Sequence, residues 1–364
     1  MKTPTMAVLC GQPGKFSTTF QTAQLVRFLQ PSISPVLLPV PEYAQSRLAQ
    51  HFSRWAYNYL IPWFRQPNTD FVLYGNDGMA DLRRWRARSI LYWYDCPWNW
   101  AERPPRIKQW VQWLRYQNVR HANFVFAVSH IQVEVARRLR PGREASVHYL
   151  PVGVDCERFD PNRANPARVR ERFRLPAKTV VGYLGYLGTW EGRFAGELLV
   201  EIAPELARQT EVHFLIVGAG PALPLFQERV RELNLTDRFT FTGFVEEDWV
   251  PDCIAAMDLC IDTLEPGFHS QARSETKLKQ YMAMARACVA TAIGENCVDL
   301  DHGKCGVLVL PGPAPLLQGI GSLCSQPEFR RRLGEAARER AKTVYDWRIV
   351  AAKMLQTLKL SARP

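Results

Sequence analysis

Ser274-Glu275-Thr276-Lys277-Leu278-Lys279-Gln280-Tyr281-Met282-Ala283-Met284-Ala285-Arg286-Ala287-Cys288-Val289-Ala290-Thr291 is the stretch around which the rest of the chain is organised. Leu278, Tyr281, Met282 and Ala285 recur at helical spacing and predict one apolar face. Cys288 to Thr291 is short, apolar and partly β-branched, the pattern of an interior parallel strand. Ser274 is of a residue type suited to cap the helix. A helix beginning there would direct unpaired amides and a partial positive charge at the preceding loop, which suits an anion.

Working outward, the second half alternates strand and helix patterns. Strands are predicted at Val180 to Gly185, Val212 to Val217, Phe239 to Thr242, Leu259 to Asp262 and Gly306 to Val309. Helices are predicted at Ala195 to Arg208, Leu223 to Leu233 and Trp249 to Ala256, with more helix from Ala314 to Leu360. The first half repeats the theme, with strands at Ala7 to Cys10, Pro35 to Val40, Phe71 to Tyr74, Ser89 to Tyr94, Phe124 to Val128 and Val147 to Leu150. Thr18 to Leu29, Ile107 to Arg120 and Ile131 to Leu139 read as its helices. Such alternation predicts parallel sheets with helices on both faces. Asn162-Arg163-Ala164-Asn165-Pro166 reads as a linker. The 364 residues exceed what one core usually fills, so two domains are expected. We place them at 1–155 and 156–345, with a C-terminal helix over 346–364 crossing back onto the first. Two doubly wound domains facing across a cleft would hold a ligand at the carboxyl ends of their strands.

Composition narrows the function classes. Apolar residues make up 47% of the chain, and no run of about eighteen predicts a spanning helix. The first ten residues lack the pattern of a secretion signal. The nine cysteines are scattered without zinc-site spacing, which fits buried thiols in the cytoplasm. The net charge of +11 calls for an anionic partner or solvated helix faces. Arg83, Arg84, Arg86, Arg88, Arg103, Arg106, Lys108, Arg115 and Arg120 crowd one region of the first half. Together with the aromatic, basic run from Phe52 to Arg65, that cluster reads either as a peripheral membrane contact or as a buried helix with a charged flank. No nucleic-acid motif is present. Gly11-Gln12-Pro13-Gly14-Lys15 lacks P-loop spacing and is not read as a triphosphate site.

The second half resembles the retaining glycosyltransferases of family 4, which have the GT-B fold of two Rossmann-like domains. The resemblance rests on the order of several motifs. Gly182 to Gly188, Leu215 to Pro221 and Phe241 to Val245 resemble the family's first strands and their turns. Ala256 to Ile261 resembles the strand before the signature loop. Ser274-x-Thr276-Lys277-Leu278-x-Gln280-Tyr281-Met282-Ala283 resembles the signature itself. Gly303 to Pro311, Pro151-x-Gly153-Val154-Asp155 and Asp346-Trp347 resemble flanking segments. The family usually carries two glutamates eight residues apart in the signature; here the matching positions are Ala272 and Gln280. An amide at 280 can still bond a ribose hydroxyl, but without charge assistance.

The resemblance implies sugar transfer, with retention, from a UDP- or GDP-sugar to a hydroxyl of a glycan, lipid-linked or small-molecule acceptor. It implies no cofactor beyond this donor, and no metal ligands. It assigns catalysis to Asp95 and Lys277. Donor binding would fall to Gly188, Thr189, Arg193, Gly243, Phe244, Val245, His269, Ser274, Glu275, Thr276 and Gln280. As residues alone, Lys277 and Arg193 also read as surface cations, Asp95 as a turn aspartate and His269 as a loop histidine. The missing glutamates leave open a non-catalytic homologue acting as a partner or scaffold, and the same fold leaves open a nucleotide-sugar epimerase. The expected location is cytoplasmic, with peripheral contact at a membrane face.

Overall fold

The computed structural model describes residues 3–9, 17–30, 32–37, 68–75, 86–93, 113, 116–190, 193–194 and 196–360. Asp95, the Gly11–Lys15 turn, the Phe52–Arg65 run and most of the arginine cluster lie outside the described residues. The chain divides into two compact units. One comprises 1–153, 272–274 and 347–364; the other comprises 154–271 and 275–346.

The first unit is built on a parallel sheet of β1 (Thr5–Leu9), β2 (Ser34–Leu37), β3 (Phe71–Gly75), β4 (Arg88–Trp93), β5 (Phe124–Ala127) and β6 (Val147–Tyr149). Their order is β2-β1-β3-β4-β5-β6. β3, β4 and β5 are buried almost throughout, as strands covered on both faces must be. The helix Ser17–Leu29 and the C-terminal helix Trp347–Leu360 share one core through Leu25, Val26, Leu29, Val350, Ala351, Met354 and Leu358. Trp347 seats on Gly153, where any added Cβ would come within 2.5 Å of the indole.

The second unit carries β7 (Thr179–Leu184), two short strands β8 (Thr189–Trp190) and β9 (Arg193–Phe194), then β10 (Val212–Val217), β11 (Phe239–Gly243), β12 (Leu259–Asp262), β13 (Ala287–Thr291) and β14 (Val307–Val309). Its main sheet runs β11-β10-β7-β12-β13-β14, all parallel. Counted within the sheet this is the order 3-2-1-4-5-6 of a dinucleotide-binding fold, and it reverses between β7 and β12. Alternate strand residues serve two cores. Val181, Phe214, Ile216, Ile261 and Val289 face one, and Val180, Leu215, Val217, Cys260 and Ala290 face the other.

Three local expectations change. The helix after the signature loop spans Thr276–Ala283, and its N-cap is Glu275 rather than Ser274. Glu275 makes no side-chain capping bond, because its carboxylate is turned toward Lys277. Ala285 is not on the helix face; it has φ 54 in the turn that follows. The residues read as a linker lead straight into a helix, Pro166–Phe173. Asn165 accepts from the Arg168 amide, while its own amide donates to Asp252 at 2.7 Å. The seven cysteines among the described residues are free, and five are buried.

Candidate functional site

The carboxyl ends of β7, β10 and β11 are tied together by their turns. The Gly185 amide donates to Val217 O at 3.0 Å and the Leu187 amide to Ala219 O at 3.1 Å. Gly218 donates to Gly243 O at 3.1 Å. At Gly218 (φ +135) a Cβ would lie 1.9 Å from Gly185 O, so only glycine lets these backbones approach. Gly188 is buried in the first of these turns and Thr189 is exposed where β8 begins. Arg193 lies in β9 opposite Trp190; only its backbone is described. Gly243 ends β11 with open space where a Cβ would project. Phe244 after it is 76% exposed and Val245 leans on the core.

Next to these turns lies the helix Thr276–Ala283. Leu278, Tyr281 and Met282 are fully buried, which fixes the helix on the sheet. The Tyr281 hydroxyl accepts from the Leu184 amide at 2.7 Å, so the helix holds the end of β7 directly. Burial pushes that phenol well above its ordinary range, and it stays neutral. One turn earlier, Lys277 Nζ lies 3.0 Å from Asp262 Oδ1, 3.7 Å from Glu275 Oε2 and 4.9 Å from the Tyr183 ring centre. Asp262 is the last residue of β12 and fully buried. The ammonium therefore stands at the carboxyl edge, where the strand order reverses.

Lys279, on the other side of the helix, forms a fully buried ion pair with Asp299. Burial raises the Asp299 carboxyl, and the Lys279 ammonium works against that rise. Thr291 at the end of β13 accepts from the Leu264 amide at 2.7 Å and donates back to Leu264 O at 3.0 Å, pinning the loop after β12. His269 lies half-buried in the short helix Phe268–Ala272 beyond that loop.

Of the residues singled out in the sequence, Glu275, Thr276, Lys277 and Gln280 share this helix and its cap. Gly188, Thr189 and Gly243 belong to the tied turns. Sequence reasoning missed Asp262, Tyr183 and Tyr281 as parts of one cluster. The available signal was an acidic residue closing an otherwise apolar strand, Leu259-Cys260-Ile261-Asp262. Among the described residues no group of three His, Cys, Asp or Glu side chains could hold a metal, and no helix is long and apolar enough to cross a membrane.

Comparisons with known proteins agree with this geometry. Residues 178–326 match the family model described as glycosyl transferases group 1. The alpha-D-kanosaminyltransferase of Streptomyces kanamyceticus is 27% identical over 229 residues, covering 62% of this chain and 57% of that protein. The GDP-mannose-dependent alpha-(1-6)-phosphatidylinositol monomannoside mannosyltransferase of Mycobacterium tuberculosis is 29% identical over 224 residues, covering 60% and 57%. The match thus spans little more than half the length of these relatives. Among solved structures, the Anabaena protein Alr3699/HepE in complex with UDP and glucose superposes with a TM-score of 0.75 at 14% identity, over 98% of this chain and 100% of the other. The sucrose-phosphate synthase of Thermosynechococcus elongatus does so with a TM-score of 0.75 at 16% identity, over 99% of each. These likenesses establish the GT-B fold. Over residues 178–326 the chain is similar to the group 1 glycosyl transferases.

Proposed function

We propose that this protein is a retaining glycosyltransferase that moves a sugar from a UDP- or GDP-sugar to a hydroxyl group. The observation that carries the reading is the Lys277 ammonium at the carboxyl edge of a 3-2-1-4-5-6 sheet, inside the family-matched segment. Sugar transfer requires stabilisation of the charge that grows on the departing diphosphate. Lys277 and the amides of the first turn after Glu275 supply that stabilisation, and the tied glycine turns let phosphate approach the backbone. Gln280 bonds the ribose, and Gly243 to Val245 face the base. Thr189, Arg193, His269 and Ser274 complete the donor side.

Acceptor binding is assigned to the first unit, with Asp95 orienting or deprotonating the attacking hydroxyl. The acceptor class is a glycan, a lipid-linked sugar or a small molecule. The relatives' names span this range, from a 2-deoxystreptamine glucosyltransferase to a phosphatidylinositol monomannoside mannosyltransferase. A lipid-linked acceptor would go with a cytoplasmic protein at a membrane face, where the Phe52–Arg65 run and the arginine cluster would make contact.

Isothermal titration with UDP, GDP and their hexose conjugates tests the donor reading. Binding of one base class is expected, weakened at least about tenfold, or 1.4 kcal/mol, in Lys277→Ala. Absence of binding to every nucleotide would sink it. The pairing of Lys277 with two carboxylates favours a second reading, a nucleotide-binding homologue without turnover. Sugar release or transfer from any bound donor excludes that alternative.

A further inference from the structure

Lys277 is held by a residue that lies outside every sequence motif of the site. Asp262 closes β12, its carboxylate fully buried and 3.0 Å from the ammonium. Glu275 contacts the same ammonium at the longer distance of 3.7 Å. The two carboxylates are held differently. Asp262 is anchored on a strand paired to β13 from Leu259 to Asp262, so its position is set by the sheet. Glu275 precedes the helix with extended dihedrals, φ −72 and ψ 119, at the position where an incoming anion would meet the first-turn amides. The lysine side chain is only 13% exposed, and the Tyr183 ring closes another side of its ammonium.

We propose that Asp262 is a positioning residue: it acts through Lys277, holding the ammonium aimed at the diphosphate end of a nucleotide ligand, with Glu275 as the contact the ligand displaces. This rests on the reading of the site as a nucleoside-diphosphate site. A lysine stem has many rotamers, and ordering it before the ligand arrives removes that cost from binding. Exchange of one anion for another at the helix start leaves the charge around Lys277 nearly unchanged. Asp262 stays in place through the exchange, because a buried carboxylate cannot be left without its cation.

Two measurements on the full chain test this. The first needs no ligand: acetylation of individual lysines by acetic anhydride, followed by peptide mass spectrometry. Lys277 is expected to react slowly in the wild type and severalfold faster in Asp262→Asn, relative to Lys304, whose side chain is 77% exposed. The second is a double-mutant cycle on UDP and GDP binding. Asp262→Asn should raise the dissociation constant about tenfold alone, and by under about twofold on a Lys277→Met background. A merely structural role would add in full on both backgrounds. Unchanged Lys277 reactivity, or additive effects, overturns the proposal. If the wild type binds neither nucleotide, the donor reading falls, while the acetylation result still decides whether Asp262 holds Lys277.

Discussion

The backbone amide of Leu184, at the carboxyl end of β7, donates to the hydroxyl of Tyr281, 97 residues further along the chain. A strand end and a helix middle are thereby joined at the place where the sheet order reverses. Tyr281→Phe keeps the packing and removes the acceptor. The Leu184 amide is half-buried, so leaving it without this partner should cost the second unit about 1 kcal/mol in urea unfolding, the low end for an unmade bond. Nucleotide affinity should fall as well, since the turn from Gly185 to Gly188 loses its tether to the helix.

Lys279 and Asp299 present a different kind of risk. Both are fully buried, and Arg340 donates to the backbone carbonyls of Val298 and Asp299. Lys279→Met alone strands a buried carboxylate and should cost about 3–5 kcal/mol. The double variant Lys279→Met with Asp299→Leu removes both charges and should recover at least half of the loss. Chemical denaturation of the single and double variants checks the pair. Equal losses in both would mean that packing rather than charge governs the position.

Gln280 is half-buried on the helix Thr276–Ala283; in the proposed function a carboxylate there would meet a ribose hydroxyl with a charge-assisted bond. On the donor reading, Gln280→Glu should tighten binding of a ribonucleoside diphosphate by about fivefold, near 1 kcal/mol. Binding of the 2′,3′-dideoxy nucleotide should not change. Calorimetry with the two nucleotides checks this, and equal gains for both would remove the ribose from the explanation.

His213 lies on β10 with Nε2 2.8 Å from the Thr240 hydroxyl. Burial, aided by the Lys178 charge, lowers its imidazole to about 4 from an ordinary 6.5. The folded protein thus resists a proton that the unfolded chain accepts. The associated stability is fully present above pH 6.5 and is lost as the pH falls toward 4. His213→Gln should flatten that decline. Urea midpoints at pH 7 and pH 4.5 for both proteins measure it.

Much of the second unit was legible before any coordinates. The run Val212-His213-Phe214-Leu215-Ile216-Val217 is a strand with the predicted bounds, and so is Leu259-Cys260-Ile261-Asp262. Both are short apolar segments buried on two faces, so composition alone marks them. The helix Pro166–Phe173 was missed because half of its residues are charged; only Val169 is buried, and no apolar stripe marks it. The cap of the Thr276 helix was placed one residue early because serine is the better cap by type, whereas Glu275 takes that position with its side chain drawn to Lys277.

Sequence by itself determined the alternation of strand and helix, the fold class and the position of Lys277 on an amphipathic helix after a loop. Those are local properties, written in residue period and type. Only the tertiary structure decided what surrounds that lysine. Asp262, Glu275 and Tyr183 come from a strand end, a helix cap and a second strand, and the parallel order of the sheet brings the two strands to the helix. Strand order is a long-range property. It depends on which faces can be buried together, and no local pattern of residues encodes which strand will neighbour which.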